Sequence, residues 1–225
     1  MMAALYSGGK DSTLAIHRMH DAGKPVELLI SMVSENDFSY MFHKPNIKMT
    51  ELQAMALGIK HVFYSTKGEK EEELKDIENA LKESRVTELV TGAIASRYQG
   101  SRIDDICKRL GITHHAPLWG IDPLAELNEL AARFNAIITQ VSAEGFDDSM
   151  LGRRIDEEMI KKITALQKKY RINMLFEGGE AESFVLDAPL FKKKIVVTKS
   201  RKVHEGQVGK YIIEEAELQE KSAAQ

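Results

Sequence analysis

Ala3-Ala4-Leu5-Tyr6-Ser7-Gly8-Gly9-Lys10-Asp11-Ser12 joins a short apolar run to a helix-like stretch through a pair of glycines, and it decides the fold. A glycine pair lets the backbone turn tightly and approach a ligand with no side chain in the way. Successive N–H groups then point into one concavity, and the helix beginning near Asp11 or Ser12 adds its exposed amides and positive dipole end. Lys10 supplies a mobile cation, and the Ser7 and Ser12 hydroxyls can donate to phosphate oxygens. The kinase- and GTPase-type phosphate loop is absent, because Asp11 follows Lys10 and no glycine stands at the required upstream spacing.

The chain has 225 residues, enough for a substantial core in one large or two small domains. With 43% hydrophobic and 29% charged residues it reads as an ordinary globular protein. No apolar run approaches the roughly 18 residues of a membrane span, and no basic segment precedes an apolar one at the start. A cytoplasmic protein without membrane association is therefore expected. Cys107 is the only cysteine, which excludes an internal disulfide and a cysteine metal cage. It shares an apolar face with Ile103, Ile106 and Leu110, where a buried, inert thiol is expected. A net charge of −3 and a pI near 6.2 argue against a large nucleic-acid surface, so no stable nucleic-acid partner is expected. Lys192-Lys193-Lys194 reads as a solvated turn that blunts a strand edge. The adjacent His114 and His115 point to opposite faces of a strand and are assigned structural roles.

Helical and extended patterns alternate through the first half. Leu14, Ala15, Arg18, Met19 and Ala22 recur at helical spacing up to Gly23, and residues 26–33 form a buried strand. A polar excursion over 34–48 leads to a helix at 50–57 ended by Gly58, a strand at 61–65, and a charged helix at 69–84 with Leu74, Ile77 and Leu81 inside. A strand at 89–94 and a helix at 102–110 ended by Gly111 complete the series. Such alternation implies crossovers onto a parallel sheet, with ligands bound beyond the carboxyl ends of the strands. Ser34 and Gly92 then lie at that edge as walls for the rest of whatever ligand the loop holds by its phosphate.

Pro117, Trp119, Gly120 and Pro123 concentrate turn formers between His115 and Pro123, which sets a boundary between a first domain over 1–120 and a second over 121–225. The second half predicts a helix at 123–134 with Leu124, Leu127 and Leu130 inside, a strand at 136–141 and a helix at 157–170. Extended segments follow at 183–186, 195–199 and 211–214, with a frayed end from about Leu218. A small α+β domain with an antiparallel portion is expected. Within it stands Glu177-Gly178-Gly179-Glu180-Ala181-Glu182-Ser183. Carboxylates gathered around a glycine pair repel one another unless something cationic lies between them, and Mg2+, ammonium or a cationic substrate would serve. If the segment is extended, Glu180 and Glu182 face one side. A solvent-exposed acidic turn is the plain alternative.

Ser7-Gly8-Gly9-Lys10-Asp11-Ser12 matches in full the serine-glycine-glycine-x-aspartate-serine loop of the N-type ATP pyrophosphatases, the PP-loop superfamily, which split ATP between the α and β phosphates. With the glutamate-glycine-glycine-glutamate-x-glutamate segment, the chain resembles the diphthine-ammonia ligase family, also described as diphthamide synthases. The resemblance extends through Tyr40-Met41-Phe42-His43 with Pro45-Asn46, Thr50-Glu51-Leu52-Gln53, Gly92 to Tyr98-Gln99 with Arg102, Pro117-Leu118-Trp119, Gly152, and Asp187-Ala188-Pro189-Leu190-Phe191-Lys192-Lys193-Lys194. Ala93 stands where some members carry an acidic residue, and Lys44 where a threonine is expected.

The resemblance implies an α/β fold, an adenine-nucleotide alpha-hydrolase-like (Rossmann-like, HUP) parallel-sheet domain with a smaller α+β C-terminal domain. It also implies ATP-dependent amidation of diphthine on translation elongation factor 2, with free ammonium as nitrogen donor and an acyl-adenylate intermediate. Lys10 and the Gly8 and Gly9 amides are then assigned to the departing pyrophosphate, and Asp11 to anchoring the loop or holding Mg2+. Glu177, Glu180 and Glu182, with Gly178 and Gly179, are assigned to the trimethylammonium group of diphthine, to ammonium, or to both. His43, Tyr98 and Arg102 complete the expected substrate contacts; Tyr98 and Arg102 read equally as a packing aromatic and a surface arginine. One cysteine in an apolar helix face offers no glutaminase unit, in keeping with free ammonia. Another adenylating amidase or tRNA-modifying enzyme, a non-catalytic ATP sensor, and a scaffold with a purely structural glycine turn remain alternatives. The oligomeric state stays open, a homo-oligomer included.

Overall fold

The structure, a computed structural model, describes residues 1–34, 46–67, 72–94 and 97–221, with the side chains of 97–100 not described. Five short apolar runs form a parallel sheet: β1 (Met2–Leu5), β2 (Leu28–Ser34), β3 (Lys60–Thr66), β4 (Glu88–Val90) and β5 (Thr113–His115), in the order β3-β2-β1-β4-β5. Between them run α1 (Lys10–Asp21), α2 (Thr50–Leu57), α3 (Glu72–Glu83) and α4 (Arg97–Leu110). Strand order reverses beside β1, so the carboxyl ends of β1 and β4 flank the switch point where such sheets bind ligands.

The two faces of this sheet have different partners. Ile77 and Leu81 of α3 and Ile103, Ile106 and Cys107 of α4 pack with Leu28 and Ile30 on one face. Cys107 is buried there, and desolvation pushes its thiol up to about 11, the inert state expected. Leu14, Ile16 and Met19 of α1 and Ala54 and Leu57 of α2 cover the other face, and this core continues without a break into the second half of the chain. Gly58 ends α2 as the sequence predicts, in the left-handed region at φ 69°, with its N–H on the carbonyl of Ala54 at 2.8 Å.

In the second half, α5 (Pro123–Arg133) and α6 (Glu157–Tyr170) accompany an antiparallel sheet of β6 (Asn135–Val141), β7 (Ala181–Asp187), β8 (Lys193–Glu205) and β9 (Val208–Glu220), ordered β7-β6-β9-β8. Asp122 and Asp156 cap the two helices by accepting from the amides of Ala125 and Met159 at 2.8 and 2.9 Å. Strands β8 and β9 run much further than their apolar centres suggest. They pair with each other along a hairpin whose charged residues face across the strands, as in Lys193–Glu220 at 2.6 Å and Arg201–Glu214 at 2.9 Å. Leu218 accordingly lies in β9 rather than in a frayed end, and Lys193 and Lys194 open edge strand β8.

Side chains and main chain from the two halves interlock. The amide of Asn46 mimics a strand neighbour of β9, donating to the Tyr211 carbonyl at 3.0 Å and accepting from the Ile213 N–H at 2.8 Å. His17 of α1 donates from Nδ1 to the Thr13 carbonyl at 2.8 Å and accepts the Leu190 N–H at Nε2 at 3.1 Å, an arrangement only the neutral ring can make. Burial accordingly lowers its pKa to about 4. The Lys192 N–H caps α2 on the Ala56 carbonyl at 2.7 Å. Among the described residues no helix is long and apolar enough to cross a membrane.

Candidate active site

β1 leads through Tyr6 and Ser7 into the glycine pair, and the turn is held from outside as well as by its own residues. Gly8 sits at φ 76°, and a Cβ there would come within 2.4 Å of Gln53 Oε1 and 2.8 Å of Thr50 Cγ2. Gln53 is fully buried and bridges the halves of the chain, its Nε2 donating to the carbonyls of Gly8 at 2.9 Å and Val185 at 2.7 Å. The Val185 N–H in turn donates to the Gly8 carbonyl at 3.0 Å. Gly9 is the N-cap of α1 and has no side chain of its own to close the helix end. Hydroxyls gather there. The Gly9 N–H reaches Ser7 Oγ at 3.4 Å, the Lys10 N–H reaches Ser183 Oγ at 3.1 Å, and Ser7 and Ser12 meet at 3.2 Å. Amides and hydroxyls at a helix N-terminus form a cradle for phosphate oxygens. Gly92, just past β4, closes the other side of the switch point; a Cβ there would lie 2.7 Å from Asp11 C and Ser12 N. Its role is to let the strand end pass against the start of α1.

Lys10 does not stand free in the turn as a mobile cation. It is 1% exposed, and its ammonium is bonded to Asp11 Oδ1 and to the Leu175 carbonyl at 2.8 Å, with the Phe176 ring centroid 5.3 Å away. Beyond it, 3.9 Å off, stands Glu126 Oε1. Glu126 is fully buried on α5, and neither of its carboxyl oxygens meets a hydrogen-bond donor. Burial, and next the charge of Asp11, push its pKa up to about 8, against the pull of Lys10; the charge of Glu177 acts in the same upward direction.

The sequence reading missed Glu126 and turned α5 slightly the wrong way. Leu124, expected inside, is 44% exposed, and the inward stripe is Glu126, Leu127 and Leu130. The signal was present: Glu126 stands four residues before Leu130, on the apolar face of the helix. A carboxylate in such a stripe has to answer to something buried.

The acidic segment is not one extended strand. β7 begins only at Ala181, and Glu180 before it folds back on its own turn, accepting the N–H groups of Asn173 at 2.7 Å and Gly178 at 2.9 Å. Ser142 fastens the same turn by donating to the Gly179 carbonyl. Glu180 and Glu182 therefore do not present one face, because the carboxylate of Glu180 satisfies two backbone donors. Glu182, half-buried in β7, pairs in register with Gln140, and half-buried Glu177 lies close enough for its charge to act on Glu126. Ser34 ends β2 opposite Thr66 at the carboxyl edge, and Arg102 is half-buried on α4. His43 and the side chain of Tyr98 lie outside the described residues.

His114 and His115 have structural partners: His114 Nδ1 meets Asp104 at 2.6 Å and Nε2 meets Thr91 at 2.9 Å, while His115 Nε2 meets Glu88 at 2.7 Å. Among the described residues no group of three or more His, Cys, Asp or Glu gathers as a metal cluster. Asp11, 27% exposed at the helix start, is one carboxylate beside the anion cradle. That donor set suits Mg2+, which is usually held by one or two carboxylates together with substrate phosphates and water.

Residues 1–114 match the diphthamide synthase N-terminal domain and residues 122–218 the diphthamide synthase C-terminal domain. The protein named diphthine--ammonia ligase in Homo sapiens is 34% identical over 226 residues, covering 90% of this chain and 84% of its own length. Its namesake in Bos taurus is 35% identical with the same coverage. The Schizosaccharomyces pombe protein of that name is 33% identical over 86% of this chain and 35% of its own length. A solved structure described as a predicted subunit of tRNA methyltransferase from Methanocaldococcus jannaschii overlays with a TM-score of 0.45 at 18% identity, covering 84% of this chain and 98% of that one. Both halves of the sequence are matched and relatives above 30% identity run along most of its length, and so the chain belongs to the diphthamide synthase family.

Proposed function

We propose that this chain is an ATP-dependent diphthine–ammonia ligase, which amidates diphthine, the modified histidine of translation elongation factor 2, with free ammonium in the cytoplasm. One observation supports the location of the site above the rest: the glycine turn and both ends of the acidic segment converge on Lys10. The Leu175 carbonyl takes its ammonium and the Ser183 hydroxyl its amide. A place that joins an anion cradle to a cation-receiving segment suits a reaction between a polyphosphate, a carboxylate and ammonium.

A carboxylate and ammonia do not condense unaided. In the proposed sequence the diphthine carboxylate oxygen attacks the α-phosphorus of ATP, pyrophosphate departs, and an acyl-adenylate forms. Ammonium gives up a proton, ammonia attacks the acyl carbon, and AMP leaves with the carboxylate oxygen. Carboxylate, ammonium and ATP thus become amide, AMP, pyrophosphate and one proton.

Residues 1–120 form the nucleotide unit in this proposal, and residues 121–225 the substrate unit. Gly8 shapes the turn; the amides of Gly9 and Lys10 and the hydroxyls of Ser7 and Ser12 receive phosphate oxygens; Lys10, drawn out of its buried position, neutralises the departing pyrophosphate. Ser34 and Gly92 flank the adenosine. Asp11 would hold Mg2+ with the carboxyl oxygen that Lys10 does not take, and Mg2+ when bound spreads the charge of the phosphates. Glu177 and Glu182 face the trimethylammonium group of diphthine, on a turn kept in shape by Gly178, Gly179 and Glu180. His43, Tyr98 and Arg102 are assigned to the nucleotide or the target.

The test is the mass of the modified histidine after incubation of diphthine-bearing elongation factor with the protein, ATP, Mg2+ and ammonium. Conversion of carboxylate to amide is expected, lost in Lys10→Ala. A factor left as diphthine by the wild-type protein would contradict the assignment.

A further inference from the structure

Four groups surround the Lys10 ammonium, and each is of a kind that binds a free ammonium ion. Asp11 and the Leu175 carbonyl accept its hydrogen bonds, the Phe176 ring faces it, and Glu126 stands behind with two buried oxygens that meet no donor. A second feature stands beside this arrangement. Phe176 sits at φ 69°, in the left-handed region that a bulky aromatic rarely enters, and its ring is buried edge-on against Phe146 at 5.8 Å. Such backbone strain persists only where the surroundings over-determine it, and it clusters at ligand clamps.

We infer that the cage of Asp11, Glu126, the Leu175 carbonyl and the Phe176 ring is the subsite for the substrate ammonium, and that the side chain of Lys10 occupies it as a stand-in until nucleotide arrives. The inference rests on the ligase reading above and deepens it. ATP phosphates in the cradle draw the Lys10 ammonium outward, and the place it leaves has the charge, size and acceptors for NH4+. Ammonium is thereby admitted only after ATP is bound, beside the turn where the acyl-adenylate forms. The acidic turn at 177–182 is then left to the larger, methylated cation of diphthine, which has no N–H to give the Leu175 carbonyl.

Lys10→Ala removes the stand-in and leaves the cage. This variant, without nucleotide, is expected to gain thermal stability with ammonium chloride but not with equal sodium or tetramethylammonium chloride. A rise of about 3–5 °C is expected at ammonium ten times its Kd. Adding Glu126→Gln or Phe176→Leu to Lys10→Ala should remove most of that rise. The wild-type protein should show an ammonium-specific rise only when saturated with a non-hydrolysable ATP analogue, a measurement that stands if Lys10→Ala does not fold. An equal response of Lys10→Ala to sodium and ammonium, or an ammonium rise in the wild type that does not depend on nucleotide, overturns the inference. Amide formation by the wild type without any ammonium-specific shift sinks the subsite and leaves the ligase reading intact. The shift without amide formation does the reverse.

Discussion

Replacing Gly8 by alanine should unfold the phosphate turn from two directions at once. At φ 76° an L-residue carries a left-handed cost of about 1–2 kcal/mol. Its Cβ would also stand 2.4 Å from Gln53 Oε1, and Gln53 cannot retreat without giving up its hydrogen bonds to the Gly8 and Val185 carbonyls. Crowding of a packed interior adds about 1–3 kcal/mol, so the whole loss is about 2–5 kcal/mol. That is a large share of the roughly 5–15 kcal/mol by which a domain is stable. Gly9→Ala is the internal control. Its φ of −77° suits any residue, and its Cβ would meet the Ser183 carbonyl at 3.3 Å, a contact relieved by a small shift. Its stability cost should stay near or below about 1 kcal/mol, while nucleotide affinity falls because a methyl group enters the cradle. Urea unfolding of both variants reads the stabilities, and titration with ATP the affinities. A Gly8→Ala protein within about 0.5 kcal/mol of wild type would refute the crowding at Gln53 and the need for a left-handed residue there.

Acid should loosen the joint between α1 and the segment after β7. Folded His17 holds its pKa near 4 against 6.5 when unfolded, so its contribution is complete above pH 6.5 and is lost as pH falls from 6.5 towards 4. The full loss is about 3 kcal/mol; urea midpoints at pH 7 and pH 5 should converge in His17→Gln relative to wild type, and an unchanged pH dependence would contradict the neutral ring. Asn46→Ala should cost about 2–4 kcal/mol, since it strands the Tyr211 carbonyl and the Ile213 N–H inside the protein. Thermal unfolding within a degree of wild type would show that these bonds are made up by water.

The sequence exposed the elements whose ends carry local chemistry. Thr50–Leu57 and Glu157–Tyr170 were bounded to the residue, because a glycine closes the first and an acidic first turn opens the second. The phosphate turn was legible for the same reason, as its glycines, hydroxyls and cation are consecutive in the chain. The extent of β8 and β9 was hidden, because cross-strand ion pairs let charged residues sustain a strand that an apolar pattern would not reveal. Distant partners of the turn were hidden more deeply. Gln53, Ser183 and Leu175 reach it only in the folded chain, and spacing along the sequence does not bring them together, whereas Glu126 left the trace of a carboxylate on the apolar face of α5. Glu180 looked like a binding carboxylate, and its engagement with its own turn depends on a backbone shape that charge patterning does not report.

Identification of the nucleotide product decides most directly whether the Ser7–Ser12 turn grips the outer phosphates of ATP during adenylation. With diphthine-bearing elongation factor, Mg2+ and ATP, the wild-type protein should release AMP and pyrophosphate in step with added ammonium. Release of ADP and phosphate, or AMP formation that persists undiminished in Lys10→Ala, would contradict it.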